Sequence, residues 1–273
     1  MGDTSMVKGL LAVALIAVMA AAWLPVSRTS FAQTMPTQEK PEHYAYINGY
    51  PDDEIKPLNK ISREETAVIF YRLMGEGSRK EYASIGAPFS DVDGARWSGD
   101  EISALYNAGI IQGYDDGSFR PEEPITRAEF AVMAARFERF QNAEAPGSTD
   151  GLVDVDKFEA AEGTGSPDTK NHWARQWIGA AVEKGWIRVF GDGTFRPENN
   201  IIRCEAMMLV NDALDRRVNG AGLLKGAKQW PDCAEDQWYY EIVLEATNSH
   251  DYERADRPKS TEKWTALRPS PTW

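Results

Sequence analysis

An all-α protein made of short helix-loop-helix repeats, closed about a pseudo-threefold axis, is the fold class that this 273-residue sequence predicts. Three observations predict it. The chain repeats itself at fixed offsets, apolar residues inside each repeat recur at helical spacing, and half repeats at its two ends sum to one more whole copy. Composition agrees, since 42% apolar and 26% charged residues describe a globular chain, neither disordered nor fibrous.

The first segment, residues 1–32, reads as a secretory signal peptide. Gly9 to Pro25 carries no charge, Lys8 precedes it, and Ser30-Phe31-Ala32 offers a small-x-small cleavage site before Gln33. An uncleaved membrane anchor is the alternative, because 17 residues approach the ~20 that span a bilayer. Cleavage takes the net charge from -12 to -13, with 28 basic residues left against 41 acidic ones. So acidic a product has no general electrostatic grip on nucleic acid or on an anionic membrane, and neither is expected as a partner.

Copy one, residues 33–88, begins only at its loop. An offset of 64 lays Gly49-Tyr50 on Gly113-Tyr114, Ile61 on Ile125, and Ser62-Arg63-x-Glu65 on Thr126-Arg127-x-Glu129. Copy two, residues 89–141, is complete. After Trp97, the residues Ile102, Leu105 and Ala108 mark an amphipathic helix ended by Gly109, and Asp115-Asp116-Gly117 turns the chain. Thr126-Arg127-Ala128-Glu129 has the form of a capping box and opens a helix whose apolar face is Phe130, Met133, Ala134 and Phe137. Copy three, residues 152–218, follows at an offset of 76, with 13 extra residues between Asp154 and Trp173 that read as a surface insertion. Residues 229–250 hold a C-terminal half repeat, Trp230-x-Asp232 with Trp238, expected to form a helix over Trp230 to Ala246 that packs on the Arg63 helix and completes copy one. Residues 251–273 are left as a tail.

Arg63, Arg127 and Arg203 each stand in a first helical turn, where a cation opposes the helix dipole. Two readings follow. Free amides at the helix start plus the guanidinium form an anion site for a carboxylate or phosphate, or the arginine is held in an ion pair, for example with Asp91, Asp154 or Asp232. Tyr50, Tyr114 and Phe190 share one aligned position, and Trp97, Trp173 and Trp238 another. Such rings suit sugars, but the tryptophans are expected mainly to pack in the core. The Asp-Gly turns lack the acidic series of a calcium loop. With two cysteines and three histidines, no cofactor and no metal are expected, and Cys204 and Cys233 form either one disulfide or two separate buried thiols, the latter favoured.

Phe89-Ser-Asp-Val, Trp97, Gly109-Ile-Ile-Gln-Gly-Tyr-Asp-Asp-Gly-Ser-Phe-Arg-Pro and Ile125-Thr-Arg-Ala-Glu-Phe130 resemble the S-layer homology (SLH) module, and with the looser copies the resemblance covers roughly residues 44 to 250. It implies a three-pronged helical domain with grooves between the prongs. It also implies non-covalent attachment to the bacterial cell wall through secondary wall polysaccharide, often acidic and pyruvylated, or a peptidoglycan-linked polymer. Other surface-layer proteins are the further partners it suggests. By that analogy the best site is Arg127 with Thr126, Gly113 and Tyr114, and the next is Arg63 with Ser62, Gly49 and Tyr50, with Trp97, Trp173 and Trp238 as ring platforms. Copy three departs from the motif at Ile202 and at Val189-Phe190, so the groove of Arg203 is expected to be weakened. A non-catalytic, secreted, wall-associated protein is the leading reading. A structural surface-layer component comes next, and a wall-attached polysaccharide-processing enzyme is less favoured because the repeats take up nearly all of the chain after the signal.

Overall fold

The computed structural model of the chain describes residues 42–83, 86–143, 166–255 and 260–273; the expected signal peptide and the first part of the insertion lie outside them. The described residues form seven helices: α1 (Arg63–Leu73), α2 (Glu76–Tyr82), α3 (Gly99–Asn107), α4 (Arg127–Ala143), α5 (Arg175–Glu183), α6 (Arg203–Ala213) and α7 (Tyr240–Thr247). None is long and apolar enough to cross a membrane. The chain is mostly helical, as expected, but not wholly so. Strands β1 (Glu42–His43), β2 (His250–Arg254) and β3 (Glu262–Leu267) build an antiparallel sheet in that order, which corrects the all-α expectation. The sheet escaped a period-two reading because its buried positions include His43, His250 and Glu262 beside Trp264, so no apolar alternation marks it.

Ile61, Ile125 and Ile201 are fully buried, and their backbones join in a cycle. Ile61 N donates to Ile201 O, Ile125 N to Ile61 O, and Ile201 N to Ile125 O, at 3.0–3.2 Å. The helix starts beside them are satisfied in the same cyclic sense. The first two amides of α1 donate to Glu123 and Pro121 carbonyls, those of α4 to Asn199 and Pro197, and those of α6 to Asn59 and Pro57, all at 2.8–3.0 Å. Each of these three helices thus opens on carbonyls of another copy, so its first two amides are already taken and are not open to an anion, which weakens one premise of the anion-site reading. The capping boxes form in α1 through Ser62 and Glu65 and at α4 through Thr126 and Glu129; α6 keeps only the Glu205 half.

Each loop is held by one aspartate. Asp91 accepts from Phe119 N and Arg120 N, Asp168 from Phe195 N and Arg196 N, and Asp232 from Ile55 N and Lys56 N, with shortest bonds of 2.7–2.8 Å. In copy three the capping carboxylate is therefore Asp168; Asp154 lies outside the described residues. Arg120, Arg196 and Lys56 all have left-handed φ, from 52° to 60°, a strain of about 1–2 kcal/mol each that the aspartate bonds offset.

First helices pack on the preceding copy, which moves the C-terminal one from its expected place. Helix α3 lies on α1, α5 on α4, and α7 on α6, so a first helix covers the second helix of the preceding copy. Thus α7 is shorter than expected and rests on α6 instead of the Arg63 helix, because sequence neighbours pair and the offset gives no spatial partner. The core runs through Phe70, whose ring lies 5.2–5.7 Å from Phe130, Phe137 and Trp186. Both cysteines are buried free thiols, pushed up by burial to about 12 for Cys204 and about 11 for Cys233.

Candidate functional site

A groove of about 550 Å³ opens where three copies meet. Gly49, Tyr50 and the α1 side chains of Glu65 and Arg72 come from copy one, Trp97 and Glu122 from copy two, and Arg203 from copy three. Ser62, at the start of α1, lines it too.

Its backbone is shaped by a large ring against a glycine. A Cβ on Gly49 would meet the Trp230 ring at 2.0 Å, and one on Gly113 would meet Phe89 at 2.5 Å. In copy three Ser166 precedes Asp168 by two residues, as Phe89 precedes Asp91, and there the glycine is replaced by Val189. A small residue in place of the ring is thus matched by a larger one in place of the glycine.

The arginines reach across copies. Arg63 donates to Phe119 O at 2.8 Å and pairs with Glu129 at 2.8 Å, and its guanidinium lies 4.8 Å from the Tyr114 ring. Arg203 donates to Ile55 O at 2.9 Å, pairs with Glu65 at 3.0 Å, and lies 4.6 Å from Tyr50. The two tyrosine hydroxyls donate to the same carboxylates, Tyr114 to Glu129 at 2.5 Å and Tyr50 to Glu65. Burial and then the Glu129 bond push the Tyr114 hydroxyl up to about 12, so it remains a donor. Arg127 differs. It donates to the Phe195 and Arg188 carbonyls at 2.8 and 2.7 Å and lies 4.5 Å from the Phe190 ring, but among the described residues it makes no ion pair. Burial pulls its pKa below the usual guanidinium range. Phe190 cannot supply the hydroxyl that Tyr50 and Tyr114 give.

The tryptophans stand outside the core, contrary to expectation. Trp97, Trp173 and Trp238 are 59%, 67% and 59% exposed, each just before a first helix. Burial therefore does not account for their recurrence: Trp97 lines the groove, whereas Trp173 lies 5.4 Å from the His172 ring and Trp238 5.5 Å from the Tyr239 ring.

Sequence comparison adds identity to this geometry. The S-layer homology domain model matches residues 43–67, 88–131 and 167–207. This chain carries the S-layer homology domain. Cell surface glycoprotein 1 of Acetivibrio thermocellus is 35% identical over 214 residues, 77% of this chain and 9% of that protein. The cellulosome-anchoring protein of the same organism is 34% identical over 212 residues, 77% of this chain and 44% of its own length. An amylopullulanase of Thermoanaerobacterium thermosulfurigenes is 27% identical over 175 residues, 63% of this chain and 8% of the enzyme. The chain spans less than half the length of each.

Within these SLH copies, the groupings expected from one motif at a time do not form. Gly113 and Tyr114 stand beside Arg63 instead of Arg127, while Gly49, Tyr50, Ser62 and Trp97 share the groove with Arg203, expected to be the weakened arginine. The ion pairs also use other partners than expected, Glu129 and Glu65, because Asp91 and Asp232 are engaged by loop amides.

Arg72 was missed. It lines the groove, its Nε is buried without a hydrogen-bond partner, and among the described residues it pairs with no carboxylate. Burial draws its pKa down. Its recurrence as Arg136 at the same offset of 64 was the available signal. Arg136, likewise half-buried and also repelled by Arg139, is pulled down to about 10 and lies 5.0 Å from the Trp177 ring.

Proposed function

We propose that this SLH protein is a secreted, non-catalytic anchor whose copies pack about a pseudo-threefold axis as three prongs, and that the groove of Tyr50, Trp97 and Arg72 holds an acidic sugar of a cell wall polysaccharide. The cyclic bonds of Ile61, Ile125 and Ile201 support the axis. The single observation that carries the ligand is a half-buried arginine without a carboxylate in a groove that also holds an exposed tryptophan. A flat ring takes a sugar face, and a guanidinium takes a carboxylate in charge-assisted bonds. Arg203 serves as scaffold, since Glu65 already occupies it.

The groove carboxylates also support a non-catalytic reading. Glu64 is held by Arg96 at 2.8 Å and by Ser98 at 2.6 Å, and Glu65 by Arg203 and Tyr50. Glu122 pairs with Arg96 at 3.0 Å, so each of the three carboxylates that line the groove is already engaged by an arginine. The names of the cellulosome-anchoring protein and the cell surface glycoprotein agree with attachment at the envelope.

Cosedimentation with purified sacculi, before and after acid stripping of the secondary polymer, tests the proposal. Binding is expected to be lost on stripping, and retention would refute the polysaccharide. Arg72→Gln and Trp97→Ala are each expected to weaken binding by about 1.5–3 kcal/mol, roughly 10- to 100-fold, with little change in melting temperature. Unchanged sedimentation of Arg72→Gln would remove it from the site.

A further inference from the structure

Apart from the groove, the sheet and α7 bring four potential metal ligands into one buried cluster. His43 comes from β1, Glu245 from α7, His250 from β2 and Glu262 from β3, and all four are at most 3% exposed. Their ligand atoms all lie within 4.8 Å of one another. His43 Nδ1 is 2.8 Å from Glu245 Oε1 and 3.3 Å from Glu262 Oε2, and His250 Nε2 is 3.5 Å from Glu245 Oε1. Two of these atoms, His250 Nε2 and Glu262 Oε2, are buried without a hydrogen-bond partner. Native interiors rarely tolerate this, so a missing partner is called for.

The outer atoms of three of these side chains are already engaged, which fixes the inner ones. His250 Nδ1 lies 2.9 Å from the Asn248 carbonyl, a bond that places its proton on Nδ1 and leaves Nε2 as a lone pair pointing inward. Glu245 Oε2 accepts from Trp264 Nε1 at 3.1 Å, and Glu262 Oε1 accepts from Arg254. The His250 ring is stacked on Trp264 with centroids 4.0 Å apart. Tetrahedral zinc at bond lengths of about 2.0–2.2 Å has donors about 3.3 Å apart, close to the three distances above.

We propose that His43, Glu245, His250 and Glu262 bind one divalent transition-metal ion of the zinc class. Two imidazole nitrogens with two carboxylate oxygens suit such an ion, whereas calcium and magnesium require six or more oxygens. The ion ties strand β1, near the start of copy one, to helix α7 and the β2–β3 hairpin. An Nδ1–H of His43 donated to the two glutamates is the rival arrangement, and it leaves His250 Nε2 without a partner.

The test uses the full chain, stripped with a chelator and dialysed, then titrated with zinc chloride against a fluorescent chelator. One equivalent is expected with micromolar or tighter affinity, and at 100-fold excess over Kd the melting temperature should rise by roughly 5–10 °C, reversed by chelator. His250→Gln is expected to weaken zinc binding at least 10-fold, while His172→Gln, which changes the remaining histidine, leaves it unchanged. Should His250→Gln not fold, cobalt(II) added to the unaltered chain is expected to give a tetrahedral visible spectrum without the thiolate band that Cys204 or Cys233 would produce. The proposal is overturned by absence of zinc uptake with an unmoved melting temperature, by a thiolate band, by full binding in a folded His250→Gln, or by equal competition from calcium or magnesium.

Discussion

Asp232→Ala removes the carboxylate by which the C-terminal half repeat holds the loop of copy one. Its two oxygens accept from Ile55 N at 3.0 Å and from Lys56 N at 2.7 Å. Hydrogen bonds to a charged group contribute about 1.5–3 kcal/mol each, and the two share one partly exposed side chain, so their joint loss costs about 2–4 kcal/mol. Lys56, at φ 52°, then has nothing to offset its left-handed strain. At 2–4 °C per kcal/mol for a chain of this size, the melting temperature should fall by roughly 5–15 °C. Thermal unfolding followed by circular dichroism measures this, and amide exchange at Lys56 should accelerate in the variant. Asp91→Ala, which releases Phe119 and Arg120 in copy two, should have an effect of the same size. A loss below about 1 °C for Asp232→Ala beside a large one for Asp91→Ala would show that the end of the chain does not complete copy one.

Gly49→Ala places a methyl 2.0 Å from the Trp230 ring and should destabilise by about 1–3 kcal/mol in urea unfolding; Gly117→Ala is no proper control, since its φ of 81° adds backbone strain. Arg127→Ala should cost about 1–3 kcal/mol, because two carbonyls lose a charged donor, whereas Arg63→Ala strands Glu129 and should cost about 3–5 kcal/mol. Equal losses in urea unfolding would contradict the difference in ion pairing. Burial opposes ionisation of Glu129, but Arg63, Tyr114 and Thr126 outweigh it and hold its carboxyl below the usual carboxylate range. Its contribution to stability is therefore complete above about pH 4.3 and lost as pH falls through the lowered value. Glu129→Gln should flatten that part of a melting-temperature profile, and an unchanged acid limb would refute the assignment.

The sequence made the repeat and its local chemistry legible. Ser62 with Glu65 and Thr126 with Glu129 announce helix starts because a capping box is a contact within four residues. The link of Asp232 to the loop of copy one had a sequence signal too, since Trp230 and Asp232 keep the spacing of Phe89 and Asp91. Contacts between copies were not. That Arg63 meets Tyr114 and Glu129 depends on how copies are arranged around the buried isoleucines, and self-similarity along a chain carries no such information. The exposed tryptophans were misjudged because residue type gives burial only on average, and here all three fall on the minority side. The sheet was hidden because its buried positions hold two imidazoles and a carboxylate beside the single apolar ring of Trp264.

The interlock of copies also sets an order of events. Lys56 is held by Asp232, Tyr46 donates its backbone amide to Ala246, and Cys204 N donates to Pro57 O, so early residues wait for late ones. A chain threaded from its N-terminus through an export channel would find no partner for its first loop until the last fifth had emerged. A chain that stopped before Asp232 would leave the amides of Ile55 and Lys56 without their acceptor and Tyr46 N without Ala246 O, so the loop of copy one closes last.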